Sequence, residues 1–374
     1  MGIYSSICYH LPLFRRKIVF ANFNGRGWGG APKYIAQEII RQRLHYDLVW
    51  LVNEPNLTFP PGIRPVSMFS RRGKYELSTA KIIVNNTKHK LPFKKKKGQY
   101  YIQTWHGDFA LKYIEKEIEE KLDPRYVSGS KQDSLETDLV LAGSEQFKSI
   151  VKSAFYYNGE IMDSGCPCND LFFSNNQELA STVRSHFGIP PDVRVCLYAP
   201  TFRDGRKDFS LPDFEILLSL LKGITSKHWT ILVRFHSNDL KRMSLVNYSP
   251  QIINASFYSD TQELSVLSDL LITDYSSIMY DFALQRKPVV LFTPDISSYQ
   301  QIRGLRDIYW DVPFPRACIP EDIKYALESA FKDEYYCQLD LFIKEKVRSF
   351  DDGYASERVV SRIKDVINGR EYGR

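Results

Sequence analysis

Ser276 and Ser277 stand where an apolar run of strand length, ending at Asp274, gives way to a helix-like segment, and Pro288 opens a second buried run soon after. Backbone N–H groups at a helix start have no partner within the helix and sit at the positive end of its dipole, so two hydroxyls there suit a phosphate. Taken alone, the stretch reads equally as a capped helix in an ordinary α/β unit. Three further apolar runs end on polar residues in the same way, at His106, at Thr201 with Arg203, and at Arg234 with His236. Two histidines, two arginines and a hydroxyl pair, without an acidic metal cluster, suit transfer of a phosphate-bearing group. In such a transfer, positioning and charge stabilisation supply most of the barrier reduction.

A neutral histidine beside an acceptor hydroxyl can take its proton, an effect worth roughly 10² to 10⁴ in rate. His106 is the candidate base: Gly107 allows close approach of a substrate, and Asp108 is placed to orient the ring. The competing reading makes His106 a structural residue beside Trp105. Arg234 and His236, two apart, share a face if they lie in a strand. With Arg203 they would hold a diphosphate in place of a divalent ion; alternatively Arg234 pairs with an aspartate. His10, His45, His89, His186 and His228 lack such a setting and read as surface residues.

The elements that must position these groups alternate. Strand-like runs fall at residues 17–23, 47–52, 81–86, 100–106 and 139–144, then, after an Asn-rich stretch at 169–176, at 194–201, 230–236, 252–255, 270–274 and 288–293. Helical periodicity marks 213–223, 263–268 and a last amphipathic segment at 355–368. This is an α/β pattern of two doubly wound, Rossmann-like domains facing a central cleft, with the candidate residues at the carboxyl ends of strands. Domain boundaries are expected at 1–172 and 173–353, with 354–374 as a closing helix. Gly25, Gly27 and Gly30 with Glu54 outline a dinucleotide fingerprint, but a hydride-transfer enzyme would leave Ser276, His236 and Arg203 unused. The glycines are expected instead to let an acceptor approach the backbone of the first domain.

Composition places the chain among globular proteins, since 43% hydrophobic and 25% charged residues over 374 positions support large cores and argue against disorder. The formal charge of +6 favours polyanions. The run Lys94, Lys95, Lys96 and Lys97 reads as a solvated loop, a membrane-surface contact or part of a nucleic-acid patch; no nucleic-acid motif supports the last. No window approaches the roughly 18 apolar residues of a membrane span, and the weakly apolar start, residues 3–14, lacks the features of a signal peptide. Six scattered cysteines, including Cys166 and Cys168, predict reduced thiols with no disulfide or structural metal.

The motifs, in order, are Thr104–Gly107 with Leu111 and Lys112; Ser164 through Asp170; Tyr198 through Arg203; Arg234 with His236; Ile272 through Ser277 with Asp281; and Asp352 through Arg358. Together they resemble the CDP-glycerol glycerophosphotransferases, the family of teichoic acid primases and polymerases and related capsule polymerases. The resemblance implies a GT-B architecture with acceptor binding in the first half and CDP-alditol binding in the second. It assigns His106 as the base, Arg234 and His236 to the diphosphate, and Thr273, Ser276 and Ser277 as hydroxyls of the phosphate-binding turn. Asp274 and Asp281 fall on acidic positions that orient this turn or meet polar groups of the donor. The implied reaction carries an alditol phosphate from CDP-glycerol, or from CDP-ribitol, to a hydroxyl of a lipid-linked or polymeric acceptor. CMP is released, with no essential cofactor or metal, and the site of action is the cytoplasmic face of the plasma membrane, on an anionic lipid surface. Asp108 and Phe109 replace the Thr-Pro common after the His-Gly pair, and Ser237 replaces a common Pro. Both changes bear on the acceptor. Two rivals are a GT-B glycosyltransferase using a nucleotide sugar and a polyanion- or membrane-binding scaffold.

Overall fold

Near-continuous Val, Ile and Leu runs, buried on both faces, are the mark of parallel strands covered by helices, and residues 18–21, 48–52 and 82–84 are all fully buried. A computed structural model describes residues 3–54, 58–88, 91, 94–203, 210–236 and 238–370; His89 and Ser237 lie outside the described residues. Contacts divide the chain into two units, the first comprising Met1–Asp108, Ile114–Asp170 and Ser349–Arg374, the second Phe109–Tyr113 and Leu171–Arg348.

The first unit carries seven strands: β1 Phe14–Ala21, β2 Asp47–Val52, β3 Ile63–Ser67, β4 Ala80–Asn85, β5 Tyr100–Gln103, β6 Leu139–Ala142 and β7 Glu160–Asp163. All pair in parallel, in the order β3-β2-β1-β4-β5-β6-β7, with Ile18 of β1 opposite Leu48 on one side and Ile82 on the other. Its helices are α1 Ile3–His10, α2 Gly30–Arg41, α3 Arg71–Thr79, α4 Pro124–Glu136, α5 Glu145–Ala154 and, from the far end of the chain, α13 Ala355–Asn368.

The second unit repeats the plan with β8 Arg194–Tyr198, β9 Trp229–Val233, β10 Ile252–Asn254, β11 Leu270–Thr273, β12 Val289–Phe292 and β13 Arg316–Ala317. These are again all parallel, ordered β10-β9-β8-β11-β12-β13. Helices α6 Gln177–His186, α7 Phe214–Thr225, α8 Thr261–Leu267, α9 Ile278–Ala283, α10 Ile296–Arg303, α11 Ile323–Ala330 and α12 Asp333–Leu341 belong to it. In each sheet the strand order reverses once, between β1 and β4 and between β8 and β11. The carboxyl ends of those strands are where a doubly wound fold offers a ligand crevice.

Three expectations change. The last helix does not form a third region: Val359, Val360, Ile363, Val366 and Ile367 line one face of α13 and are buried in one cluster with Ile18, Ile35 and Ile39 of the first unit. The second unit begins earlier than expected, because Phe109 and Leu111 are buried in its core with Tyr280 and Tyr299. The predicted strands 100–106 and 230–236 stop at Gln103 and Val233, since Trp105 turns to a left-handed φ of 55° that ends the ladder. Strands β3, β7 and β13 and helix α1 were not expected.

The basic run is only partly solvated. Lys95 forms an ion pair with Asp138 with its side chain 5% exposed, and the Lys96 ammonium donates to the Leu11 carbonyl at 2.7 Å, leaving Lys94 and Lys97 exposed. His10, His45, His186 and His228 are exposed.

Because α13 supplies core to a unit built mostly from residues before 171, truncating it should act there. Ile363→Ala is expected to cost about 2–5 kcal/mol, read as a fall in the urea midpoint for unfolding.

Candidate active site

In the first unit the reversal point is built from asparagines. Asn22 follows β1 and Asn86 follows β4, and the Asn86 amide donates to the Asn22 carbonyl oxygen at 2.7 Å while its own oxygen accepts from the Phe23 N–H at 2.7 Å. Asn22 and the Trp50 indole both donate to the Gly27 carbonyl, at 3.2 and 3.1 Å. This explains the glycines: a Cβ on Gly30, whose φ is +61°, would lie 2.8 Å from both asparagine side chains, and one on Gly25 would lie 2.9 Å from the Asn53 nitrogen. The loop closes on the protein's own amides, so a dinucleotide or an approaching acceptor is not needed to account for it.

His106 is exposed and rests on this frame. Its Nδ1 lies 2.9 Å from the Asn86 carbonyl oxygen, and its ring packs at 4.2 Å from Trp105 and 5.5 Å from Phe23. A carbonyl only accepts, so Nδ1 carries the hydrogen and Nε2 of the neutral ring keeps the lone pair that a base needs. Asp108 does not orient the ring. It is buried, accepts from the Gly143 N–H at 2.9 Å and is hydrogen-bonded to Cys166, and burial pushes its carboxyl up to about 6. The neighbouring Gly107 is half-buried. Asn86, at the end of β4, is the functional residue that the strand-end argument applied to other runs would have found.

In the second unit Asp274 stands at the end of β11 with its carboxylate fully engaged. Thr201 donates to it from N, at 2.9 and 3.0 Å, and from Oγ1, and the Tyr275 N–H donates as well. Arg203 donates from Nη2 to Asp274 at 2.7 Å, from Nε to Asp295 at 2.7 Å and from Nη1 to the Thr201 carbonyl at 2.7 Å. Its guanidinium lies 4.9 Å from each of the Tyr275 and Tyr299 rings, themselves stacked at 3.7 Å. Arg203 is 1% exposed and its pKa is raised by the two carboxylates. Arg203 therefore does not reach a diphosphate; it positions Asp274 and Thr201. Thr273 is likewise withdrawn, its hydroxyl donating to the Ala199 carbonyl at 2.7 Å.

What this network presents outward is the turn. Ser276 and Ser277 are half-buried between buried neighbours, and neither hydroxyl has a protein partner among the described residues. Helix α9, which follows, has only six residues, so its dipole adds little and the hydroxyls and turn amides must do most of the binding. Asp281 is buried in its first turn.

Arg234 lies just beyond β9, half-buried, with Nη1 donating to the Ala255 and Tyr258 carbonyls at 3.1 and 2.6 Å. Its Nε and Nη2 have no acceptor among the described residues, and burial lowers its pKa. His236 is exposed, accepts from the Asn238 N–H at 3.1 Å through Nδ1 and lies beside the Phe202 ring at 5.8 Å. Both follow the strand, so the alternation argument that set them on one face does not apply.

Two motifs prove structural. Asp170 caps α13, accepting from the Ala355 and Ser356 N–H groups at 2.8 and 2.7 Å, and Arg358 donates to the Ser164 carbonyl at 2.9 Å and pairs with Asp352. Cys166 and Cys168 are buried free thiols 3.0 Å apart.

A family profile described as CDP-Glycerol:Poly(glycerophosphate) glycerophosphotransferase matches residues 3–365. The chain belongs to this family. Among relatives of this glycerophosphotransferase-family chain is the teichoic acid poly(glycerol phosphate) polymerase of Staphylococcus epidermidis, 31% identical over 362 residues. The match takes in 92% of this chain and 50% of that protein. The protein of the same name from Bacillus spizizenii is 27% identical over 94% of this chain and 93% of its own. The chain thus spans about half the length of the first relative and nearly all of the second. A solved structure of the wall teichoic acid polymerase TagF, a histidine variant soaked with CDPG, superposes with a TM-score of 0.86 at 29% identity. It covers 98% of this chain and 93% of that one. The paired doubly wound sheets of the family member are those of a GT-B fold.

Replacing Arg203 by Lys would strand two buried carboxylates. A loss of about 3–5 kcal/mol of stability is expected, seen as a lower melting temperature. An unchanged melting temperature with a weaker donor interaction would restore Arg203 to the binding set. Gly30→Ala should displace Asn86 at a strain cost of about 1–3 kcal/mol and lower turnover more than donor affinity.

Proposed function

We propose that this chain transfers glycerol phosphate from CDP-glycerol to a hydroxyl of a lipid-linked or polymeric acceptor in teichoic acid synthesis. In this reaction His106 Nε2 takes the proton of the acceptor hydroxyl, whose oxygen forms a bond to the β-phosphorus. The bond from that phosphorus to the bridging oxygen breaks, and CMP leaves with the electron pair. Ser276, Ser277 and the open N–H groups of Arg234 hold phosphate oxygens, and His236 stands with them to meet the leaving group. The observation that carries the reading is the tautomer of His106, fixed by the Asn86 carbonyl so that a basic nitrogen stands exposed on a rigid frame. Family membership supplies the donor class, and glycerol is favoured over ribitol because both relatives above are named for poly(glycerol phosphate).

Incubation with CDP-glycerol or CDP-ribitol and a short acceptor, followed by mass spectrometry, should show glycerol phosphate additions and CMP. His106→Ala should lower kcat by roughly 10² to 10⁴ while donor binding persists. Turnover unaffected by that change would remove His106 from the role of base.

The acceptor reading also places the protein on a membrane surface, at the cytoplasmic face. Among the described residues no helix is long and apolar enough to cross a membrane. Helix α1 nevertheless exposes Ile3 and Ile7, 85% and 57% accessible, close in sequence to exposed Arg15 and Arg16. Co-sedimentation with vesicles rich in anionic phospholipid should fall on Ile7→Glu; sedimentation that is the same with neutral vesicles would refute the contact.

A further inference from the structure

The second unit holds a cation that the reaction above leaves without a task. Lys112 lies in the five-residue excursion Phe109–Tyr113, whose backbone is pinned from several sides. Lys112 forms an antiparallel bridge with Leu305, the Arg306 N–H donates to the Leu111 carbonyl at 2.9 Å, and Arg306 Nε donates to the Lys112 carbonyl at 3.1 Å. The Phe109 ring packs 5.4 Å from Tyr280, in the first turn of α9. Gly304 completes the contact, since a Cβ there would lie 2.9 Å from the Tyr113 ring.

The side chain carried by this fixed backbone is half-buried, with its ammonium 5.8 Å from the centre of the Tyr299 ring. It has no hydrogen bond or ion pair among the described residues. The charged groups that face it are Asp274 at the end of β11, which attracts it, and Arg203 after β8 and Arg303 at the end of α10, which repel it. Asp274 is already committed to Arg203 and Thr201. A half-buried ammonium without a counter-ion, close to two other cations, is costly unless an anion completes the site.

We infer that Lys112 is a substrate-binding residue that meets the donor's diphosphate beside the Ser276 and Ser277 turn, the task for which Arg203 is too deeply buried. The assignment rests on the donor reading given above. Burial, with the two arginines adding to it, pushes the Lys112 ammonium down to about 8. A bound dianion would favour the charged form, so donor binding should take up a proton near that pH and weaken as pH rises through it.

The test is calorimetric titration of CDP-glycerol into wild type, Lys112→Met and Lys112→Arg at pH 7 and pH 9, in buffers of different ionisation enthalpy. Wild type should bind more weakly at pH 9 and take up protons on binding near pH 8. The Met variant should bind roughly 10- to 100-fold more weakly at pH 7, with donor KM raised more than kcat is lowered. The Arg variant, permanently charged, should keep affinity within a few-fold and lose the decline between pH 7 and 9. If the Met variant does not fold, the flat profile of the Arg variant decides the matter. A Met variant that binds as wild type does, or an Arg variant that keeps the wild-type pH dependence, overturns the assignment alone. Wild type that does not bind CDP-glycerol overturns the donor reading and this inference with it.

Discussion

A guanidinium withdrawn from water and shared by two carboxylates governs the shape of the second unit's reversal point. Isolated charges in an apolar interior are expensive, and a buried ion cluster persists only where geometry satisfies most of its donors and acceptors. Arg203 meets that condition with Asp274, Asp295 and the Thr201 carbonyl. Its effect is positional. Through Asp274 it ties the exit of β8 to the exit of β11, and once these are joined the next residues, Ser276 and Ser277, have no room to fold inward.

The first unit solves the corresponding problem with neutral groups. An amide pair, Asn22 and Asn86, joins the exits of β1 and β4, and the backbone carbonyl of Asn86 then sets the imidazole of His106. Neutral amides leave no net charge beside the ring, so its basicity is not committed in advance to a neighbouring carboxylate. Trp105 accepts a φ of 55° to bring the histidine there, and packing against Phe155 at 4.8 Å helps to hold it. Strain of this kind costs about 1–3 kcal/mol and persists where surrounding contacts over-determine the conformation.

Much of this was legible in the residues alone. β2 and α13 fall where periodicity placed them, because long apolar patterns with clear ends admit few alternatives. The short edge strands β7 and β13 carry too few residues for a pattern, and Pro65 hides β3. At the candidate site, residue type identified chemistry but not exposure. Arg203 and Thr273 carry groups suited to a phosphate, yet their donors are spent on Asp295, Asp274 and the Ala199 carbonyl. Spending of that kind depends on partners 70 to 90 positions away and leaves no local trace. Asn86 and Lys112 were hidden for the opposite reason: an asparagine after a strand and a lysine in a loop are common, and only their surroundings set them apart.

The interleaving of the two units bears on how the chain matures. Helix α13 shares a buried cluster with β1 and α2, so the first sheet emerges during synthesis with one face lacking its cover until the last residues are made. By then the whole of the second unit has left the ribosome and has every segment that it needs. The unit encoded first is therefore the one completed last, and its uncovered Ile and Val side chains are the surface that a chaperone would have reason to shield in the interval.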